Sequence, residues 1–331
     1  MTVTLKLDPD DPQTEVIGQA ASIIQRGGLV AFPTETVYGL GADALNAEAI
    51  NRLFEAKGRP ADNPLIVHVD GREMLSHVAE DVSEQAHRLM EKFWPGPLTL
   101  VLGRRREVPA IVSADLATIA VRMPQNKIAL ELIRTSKVPI AAPSANLSGR
   151  PSPTRAEHVL SDLGERVDMI LDGGETRIGI ESTVLDMTGA MPLILRKGWI
   201  TEEQISEAIG AVGVARSEEE LSRSPGTRHR HYSPRARVVL IERAHVEEIS
   251  RKYLESGSVG FLGHTSLKID DPRFSSIVLR NDAAEYARSI YRALRELDEK
   301  RVDVILVEAI SEAGEGAAVM DRLRRAASEV V

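Results

Sequence analysis

Apolar residues recur at helical spacing over Val16, Ile17, Ala20, Ile23 and Ile24, which predicts a helix within residues 12–25 that stops at Gly27-Gly28, where glycine can take a left-handed cap. Leu29-Val30-Ala31-Phe32 reads as a short strand, and Pro33 to Gly41 as a loop whose glycines allow close backbone approach. Asn46 has the chemistry to cap a second helix running through Ile50, Leu53 and Phe54 to Lys57. Next come a strand over 65–69, a helix over 83–93 closed by Trp94-Pro95-Gly96-Pro97, and strands over 98–102 and 118–121. Arg104-Arg105-Arg106 lies between those two strands and reads as solvated loop charge. Asn126 predicts the cap of a helix over 128–133, and a strand over 138–142 leads into Pro143-Ser144-Ala145-Asn146. Thr154-Arg155-Ala156-Glu157 and Thr201-Glu202-Glu203-Gln204 both have capping-box spacing, and strands over 169–171, 183–187 and 193–195 fall between them.

From Val238 the pattern restarts. It gives a strand (238–241), a helix (246–254), strands (259–262 and 277–279), a long helix (283–297), a strand (304–307) and a helix (317–327). That alternation predicts a small α/β domain with a largely parallel, Rossmann-like sheet. Gly314-Glu315-Gly316, before its last helix, reads as a plain turn rather than a phosphate loop. The expected organisation is a catalytic domain over 1–210, a basic linker over 211–237 and a C-terminal domain over 238–331, as suits a chain of 331 residues. Within the linker, Leu221 to Arg237 holds five arginines, two histidines and no acid, together with Tyr232, a composition that suits a functional loop as well as a tether.

Forty-one Lys and Arg against 49 Asp and Glu give a net charge of -8, which argues against a sequence-independent grip on nucleic acid by the whole surface. The absence of cysteine excludes disulfides, thiolate zinc sites and a cysteine nucleophile. The N-terminus lacks the apolar core of a signal peptide, and no run approaches the roughly 20 apolar residues of a membrane span. A cytoplasmic protein without membrane attachment is the expectation. A phosphate loop, a His-Glu-x-x-His pair and a Gly-x-Ser-x-Gly elbow are all absent. What remains is a set of strand-end loops carrying Thr34, Thr36, Lys57, Arg59, Asn63, His68, Arg122, Ser144, Asn146, Ser182 and Arg196. Loops of this kind converge on one crevice in an α/β sheet. Several cations accompanied by hydroxyls and amides suit phosphate oxygens and a small carboxylate.

Six stretches occur together and in order: Pro33-Thr34-Glu35-Thr36-Val37-Tyr38-Gly39-Leu40, Lys57-Gly58-Arg59-Pro60 with Asn63-Pro64-Leu65, Trp94-Pro95-Gly96-Pro97-Leu98-Thr99, Arg122-Met123-Pro124, Ser144-Ala145-Asn146 with Ser148-Gly149, and Glu181-Ser182-Thr183-Val184. Over about residues 12–208 the chain thereby resembles the YrdC-like family. With Ser224 to Pro234 and an α/β domain behind, it resembles that family's long two-domain threonylcarbamoyl-AMP synthases. The resemblance implies an open, twisted mixed sheet with helices. It also implies synthesis of L-threonylcarbamoyl-AMP from L-threonine, bicarbonate or CO2, and ATP, with release of pyrophosphate, for threonylcarbamoyladenosine beside the anticodon of tRNA.

The family's Lys-x-Arg and Ser-x-Asn signature falls on Lys57, Arg59, Ser144 and Asn146, the expected catalytic set. By the same resemblance Asn63, Thr118, Ser152, Arg196 and Tyr232 join them as ATP contacts, and Thr36, His68, Arg122, Ala142 and Ser182 hold threonine. Mg2+ is expected with ATP, held mainly by phosphate and water. The linker is expected to cover the labile carbamate, with Tyr232 reaching the nucleotide and the arginines facing phosphate. A transient partner is expected in the transferase that carries the product to tRNA. Two alternatives stand beside this reading: a carbamoyltransferase working through carbamoyl-adenylate, and a non-catalytic RNA-binding protein, which the acidic charge and scarce aromatics disfavour.

Overall fold

The computed structural model describes residues 2–224, 232–242 and 245–331. These fall into two compact units. Among the described residues the first comprises 2–148, 153–177 and 181–224, and the second 149–152, 178–180, 232–242 and 245–331.

In the first unit one mixed sheet runs, in spatial order, through Val3–Lys6, Met169–Asp172, Val30–Phe32, Gly39–Asp43, Ile140–Ala141, Ile66–His68, Thr118–Arg122, Leu98–Arg104, Thr183–Asp186, Leu193–Arg196 and Gly213–Val214. Ala79–Glu80 pairs with Leu98–Arg104 beside that path. Helices Thr14–Gln25, Ala47–Lys57 and Lys127–Ser136 bury their apolar faces in the core formed with this sheet. The cap chemistry is the expected one at several ends. Asn46 Oδ1 accepts from the amides of Glu48 and Ala49, Gly58 closes the same helix in the left-handed region, and Thr201 with Gln204 forms a complete capping box.

Four expectations are corrected. Gly39 to Gly41 is not loop but strand, because it folds back antiparallel on Val30–Phe32. Its glycines are needed for packing, since a Cβ on Gly41 would lie 2.7 Å from the Phe32 ring. Thr154 makes no capping box. The helix Ala156–Leu163 starts after Arg155, and the Thr154 amide donates to His158 Nδ1 instead. Arg104 belongs to a strand, and its guanidinium ties down the following loop through the carbonyls of Val108 and Leu116. Finally, 211–224 is not linker. Gly213–Val214 extends the first sheet, and Ser217 caps the short helix Glu218–Leu221.

The second unit has an all-parallel sheet in the order Phe274–Val278, Val259–Gly263, Val304–Glu308, Arg237–Ile241, Glu329–Val330. The long helix Ala283–Glu299 and the helix Gly316–Ala326 bury apolar faces within it. Gly314-Glu315-Gly316 is a tight turn, because a Cβ on Gly316 would sit 1.9 Å from the Ser311 carbonyl oxygen. Among the described residues no helix is long and apolar enough to cross a membrane.

Two glycines test this packing in opposite directions. A Cβ on Gly198 would lie 2.2 Å from the Thr183 nitrogen, whereas one on Gly18, inside a helix, meets nothing within 4 Å. Gly198→Ala should lower stability by about 1–3 kcal/mol, and Gly18→Ala should raise it by about 0.5–1 kcal/mol. Urea midpoints at unchanged slope are the measurement.

Candidate active site

The helix Ala47–Lys57 ends at the signature, and its last side chain turns inward. Lys57 is 2% exposed, and its Nζ donates to the carbonyl oxygens of Ser144 and Asn146, each at 2.5 Å. The Lys57 carbonyl in return accepts from the Ser148 amide at 2.9 Å. The two signature stretches are therefore fastened to each other through backbone. Burial, and then the neighbouring Arg59 charge, hold the Lys57 pKa well below its ordinary value, while Asp162 works against them. Arg59 wraps the loop that follows, with Nε and Nη2 donating to the Asn63 carbonyl and Nη2 to that of Pro64 at 2.9 Å.

The Ser-x-Asn loop is also stitched to the strand Gly39–Asp43. Leu40 donates to the Pro143 carbonyl, Ala145 to that of Tyr38, and Gly39 bridges Ser144. The Ala142 amide is used inside the sheet, where it donates to the Ile66 carbonyl.

A second cluster gathers around Arg122, the last residue of its strand and paired in register with His68. Arg122 is 3% exposed. Its Nε donates to the Gly96 carbonyl, its Nη1 to Thr36 Oγ1 at 3.0 Å, and its Nη2 lies 2.6 Å from a Glu35 carboxylate oxygen. The fork expected to be open for a bidentate carboxylate is thus partly engaged. One N–H on Nη1 is left over by these contacts, and Nη2 meets Glu35 as a charge contact without a hydrogen bond among the described residues. A third cluster joins Arg196 to Ser182. The guanidinium donates to the Ser182 carbonyl and to its Oγ, which shares a hydrogen bond with Thr99 Oγ1 at 2.7 Å.

Most residues named from the sequence therefore meet in three groups: Lys57 with Ser144 and Asn146 beside Arg59 and Asn63, Arg122 with Thr36 and His68, and Arg196 with Ser182. Thr118 stands apart, four residues from Arg122 on the same strand and so about 13 Å along it. Ser152 and Tyr232 belong to the second unit. Tyr232, expected to reach the nucleotide, is packed within that unit. It is 4% exposed, its ring stacks on Tyr291 at 5.3 Å, and the Arg322 guanidinium lies over it. An aromatic face gains more from that stacking than from hydration. Of the linker arginines expected to face phosphate, Arg228 and Arg230 lie outside the described residues, while Arg223, Arg235 and Arg237 lie beside Asp186, Asp298 and Glu329. Sequence reasoning did not single out Glu35 or Thr99 for a role, although both stand inside motifs it quoted.

His68 is buried, and burial followed by the adjacent Arg122 charge pushes its pKa from 6.5 down to about 3. In that interval the unfolded chain binds the extra proton, so stability is lost as pH falls from 6.5 toward 3. From about pH 6.5 to pH 4 the loss from this group should be about 3 kcal/mol. A His68→Gln variant should show a correspondingly flatter fall in urea midpoint, and parallel curves for the two proteins would refute the assignment.

Residues 22–198 match the family model described as "Telomere recombination", that of Sua5, YciO and YrdC, and residues 200–328 match "Threonylcarbamoyl-AMP synthase, C-terminal domain". The chain is 48% identical over 318 residues to the threonylcarbamoyl-AMP synthase of Pyrococcus abyssi, covering 93% of this chain and 92% of that protein. It is 44% identical over 335 residues to that of Bacillus subtilis, covering 98% and 96%. Among solved structures, P. abyssi Sua5 complexed with L-threonine superposes with a TM-score of 0.93 at 44% identity, covering 100% of this chain and 99% of that one. The chain belongs to the YrdC-like threonylcarbamoyl-AMP synthase family, in its long two-domain form.

Proposed function

We propose that this protein makes L-threonylcarbamoyl-AMP from L-threonine, bicarbonate or CO2, and ATP, as the activated donor for threonylcarbamoyladenosine in tRNA. The observation that carries the reading is the likeness, over the whole chain and in both units, to a structure holding L-threonine. In the first unit the Arg122 group supplies cationic and hydroxyl contacts for an amino acid. Lys57 and Arg59 supply positive charge beside a loop of backbone and amide groups.

The threonine ammonium gives up a proton to solvent, its amine attacks CO2 and releases a second proton to solvent, and the carbamate oxygen then attacks the α-phosphorus while pyrophosphate leaves with the bond electrons. No covalent enzyme intermediate is required. Holding the reactants together can lower the barrier by roughly 7–11 kcal/mol in favourable cases. Arg59 and Lys57 act on the charge that develops on pyrophosphate. The buried Lys57 has two N–H groups committed to backbone, so its first contribution is to hold Ser144 and Asn146 in place. An arriving triphosphate favours its charged form. Ser152, Thr118 and Tyr232 are assigned to ATP by resemblance alone.

Among the described residues no group of three or more His, Asp or Glu is arranged as a metal cage. Mg2+ would enter with ATP, with phosphate and water as its main ligands. A cytoplasmic location and a brief encounter with the tRNA-modifying transferase complete the reading, because an adenylate this labile must be consumed close to where it forms.

Mass spectrometry of a mixture of the protein, ATP, L-threonine and bicarbonate should reveal threonylcarbamoyl-AMP together with pyrophosphate. No product under those conditions would overturn the reading. Arg59→Ala should reduce the rate by roughly 100–1,000-fold with an unchanged circular dichroism spectrum.

A further inference from the structure

Glu35 occupies a position that neither the signature nor the threonine contacts explain. It sits in a rigid turn. Thr34 Oγ1 accepts from the amides of Thr36 and Val37 and donates to the Val37 carbonyl, so the side chain between them is firmly aimed. The residue is 3% exposed, yet neither carboxylate oxygen accepts a hydrogen bond among the described residues. One oxygen has the Arg122 charge at 2.6 Å. The other has no hydrogen-bond partner among the described residues.

A buried carboxylate with unfilled acceptor positions is costly, and native proteins seldom leave one so without a use. Orienting Arg122 is an insufficient use. That guanidinium is already fixed by the Gly96 carbonyl through Nε and by Thr36 through Nη1. The pair places one negative and one positive group side by side, the complement of a zwitterion.

We propose that Glu35 receives the α-ammonium of the amino-acid substrate while the remaining Arg122 N–H groups receive its carboxylate, so that together they select an α-amino acid over its hydroxy-acid analogue. The proposal rests on the reading of the Arg122 group as the threonine subsite. In that role Glu35 is a specificity-determining residue. It holds the nitrogen that must later bond to CO2 and excludes anions that lack a compensating cation.

Calorimetric titration of the full chain separates the possibilities, with L-threonine and 2,3-dihydroxybutyrate, its hydroxy-acid analogue, as probes. The wild type should prefer threonine. Glu35→Gln should weaken threonine by roughly 30-fold or more while leaving the hydroxy acid unchanged or bound more tightly, because a buried negative charge no longer repels it. Equal weakening of both ligands would make Glu35 a mere clamp on Arg122 and overturn the proposal, as would unaltered threonine affinity. Should Glu35→Gln fail to fold, the wild type still decides, since equal affinity for the two ligands sinks the idea. A wild type blind to threonine would instead overturn the functional reading on which the proposal stands.

Discussion

Burying the Lys57 ammonium is the constraint around which the first unit is arranged. A lysine taken from water must find acceptors or lose its proton. Here it finds two carbonyl oxygens, those of Ser144 and Asn146, at the end of a different strand. The helix Ala47–Lys57 and the Ser-x-Asn loop cannot shift independently while those bonds hold. The same loop is sewn to Gly39–Asp43, whose preceding turn carries Thr36 and Glu35. One buried lysine thus couples the Lys57–Arg59 group to the turn that carries Thr36 and Glu35 through a continuous run of backbone hydrogen bonds.

The electrostatics of the two sides differ in kind. Around Lys57 and Arg59 like charges lie close together, and Arg59 helps depress the Lys57 pKa. That arrangement awaits an anion. Around Arg122 the cation is matched by Glu35 and flanked by a neutral His68. One group is thus dominated by cations and the other by a matched ion pair.

Local signals were the legible ones. The caps at Asn46, Asn126 and Thr201, the stop at Gly58 and the alternation of the second unit all follow from side chains acting within a few residues. The errors share a nonlocal origin. Gly39 to Gly41 looks like loop until its glycines are seen to make room for Phe32 and Ile140, residues far apart in sequence. Thr154 and Glu157 have the right spacing for a box, but His158 captures the amide that the box requires. At the site the fold gathers most of the residues that the motifs singled out, while their division into three bonded groups depends on which carbonyl each guanidinium reaches. That is not written in any local spacing.

The parallel pairing of Val3–Lys6 with Met169–Asp172 has a consequence for the chain as it is made. At ribosomal rates of about 5–20 residues per second, roughly 10–30 s separate synthesis of the two partners. Through that interval Val3–Lys6 has no sheet edge to join, and Val30–Phe32 lacks its neighbour on the same side. The helix Thr14–Gln25 and the hairpin of Val30–Phe32 with Gly39–Asp43 can form early from local contacts. The edge that completes them must wait for a strand encoded in the second half of the message. A nascent chain of this protein therefore keeps that edge open until Met169–Asp172 has been made.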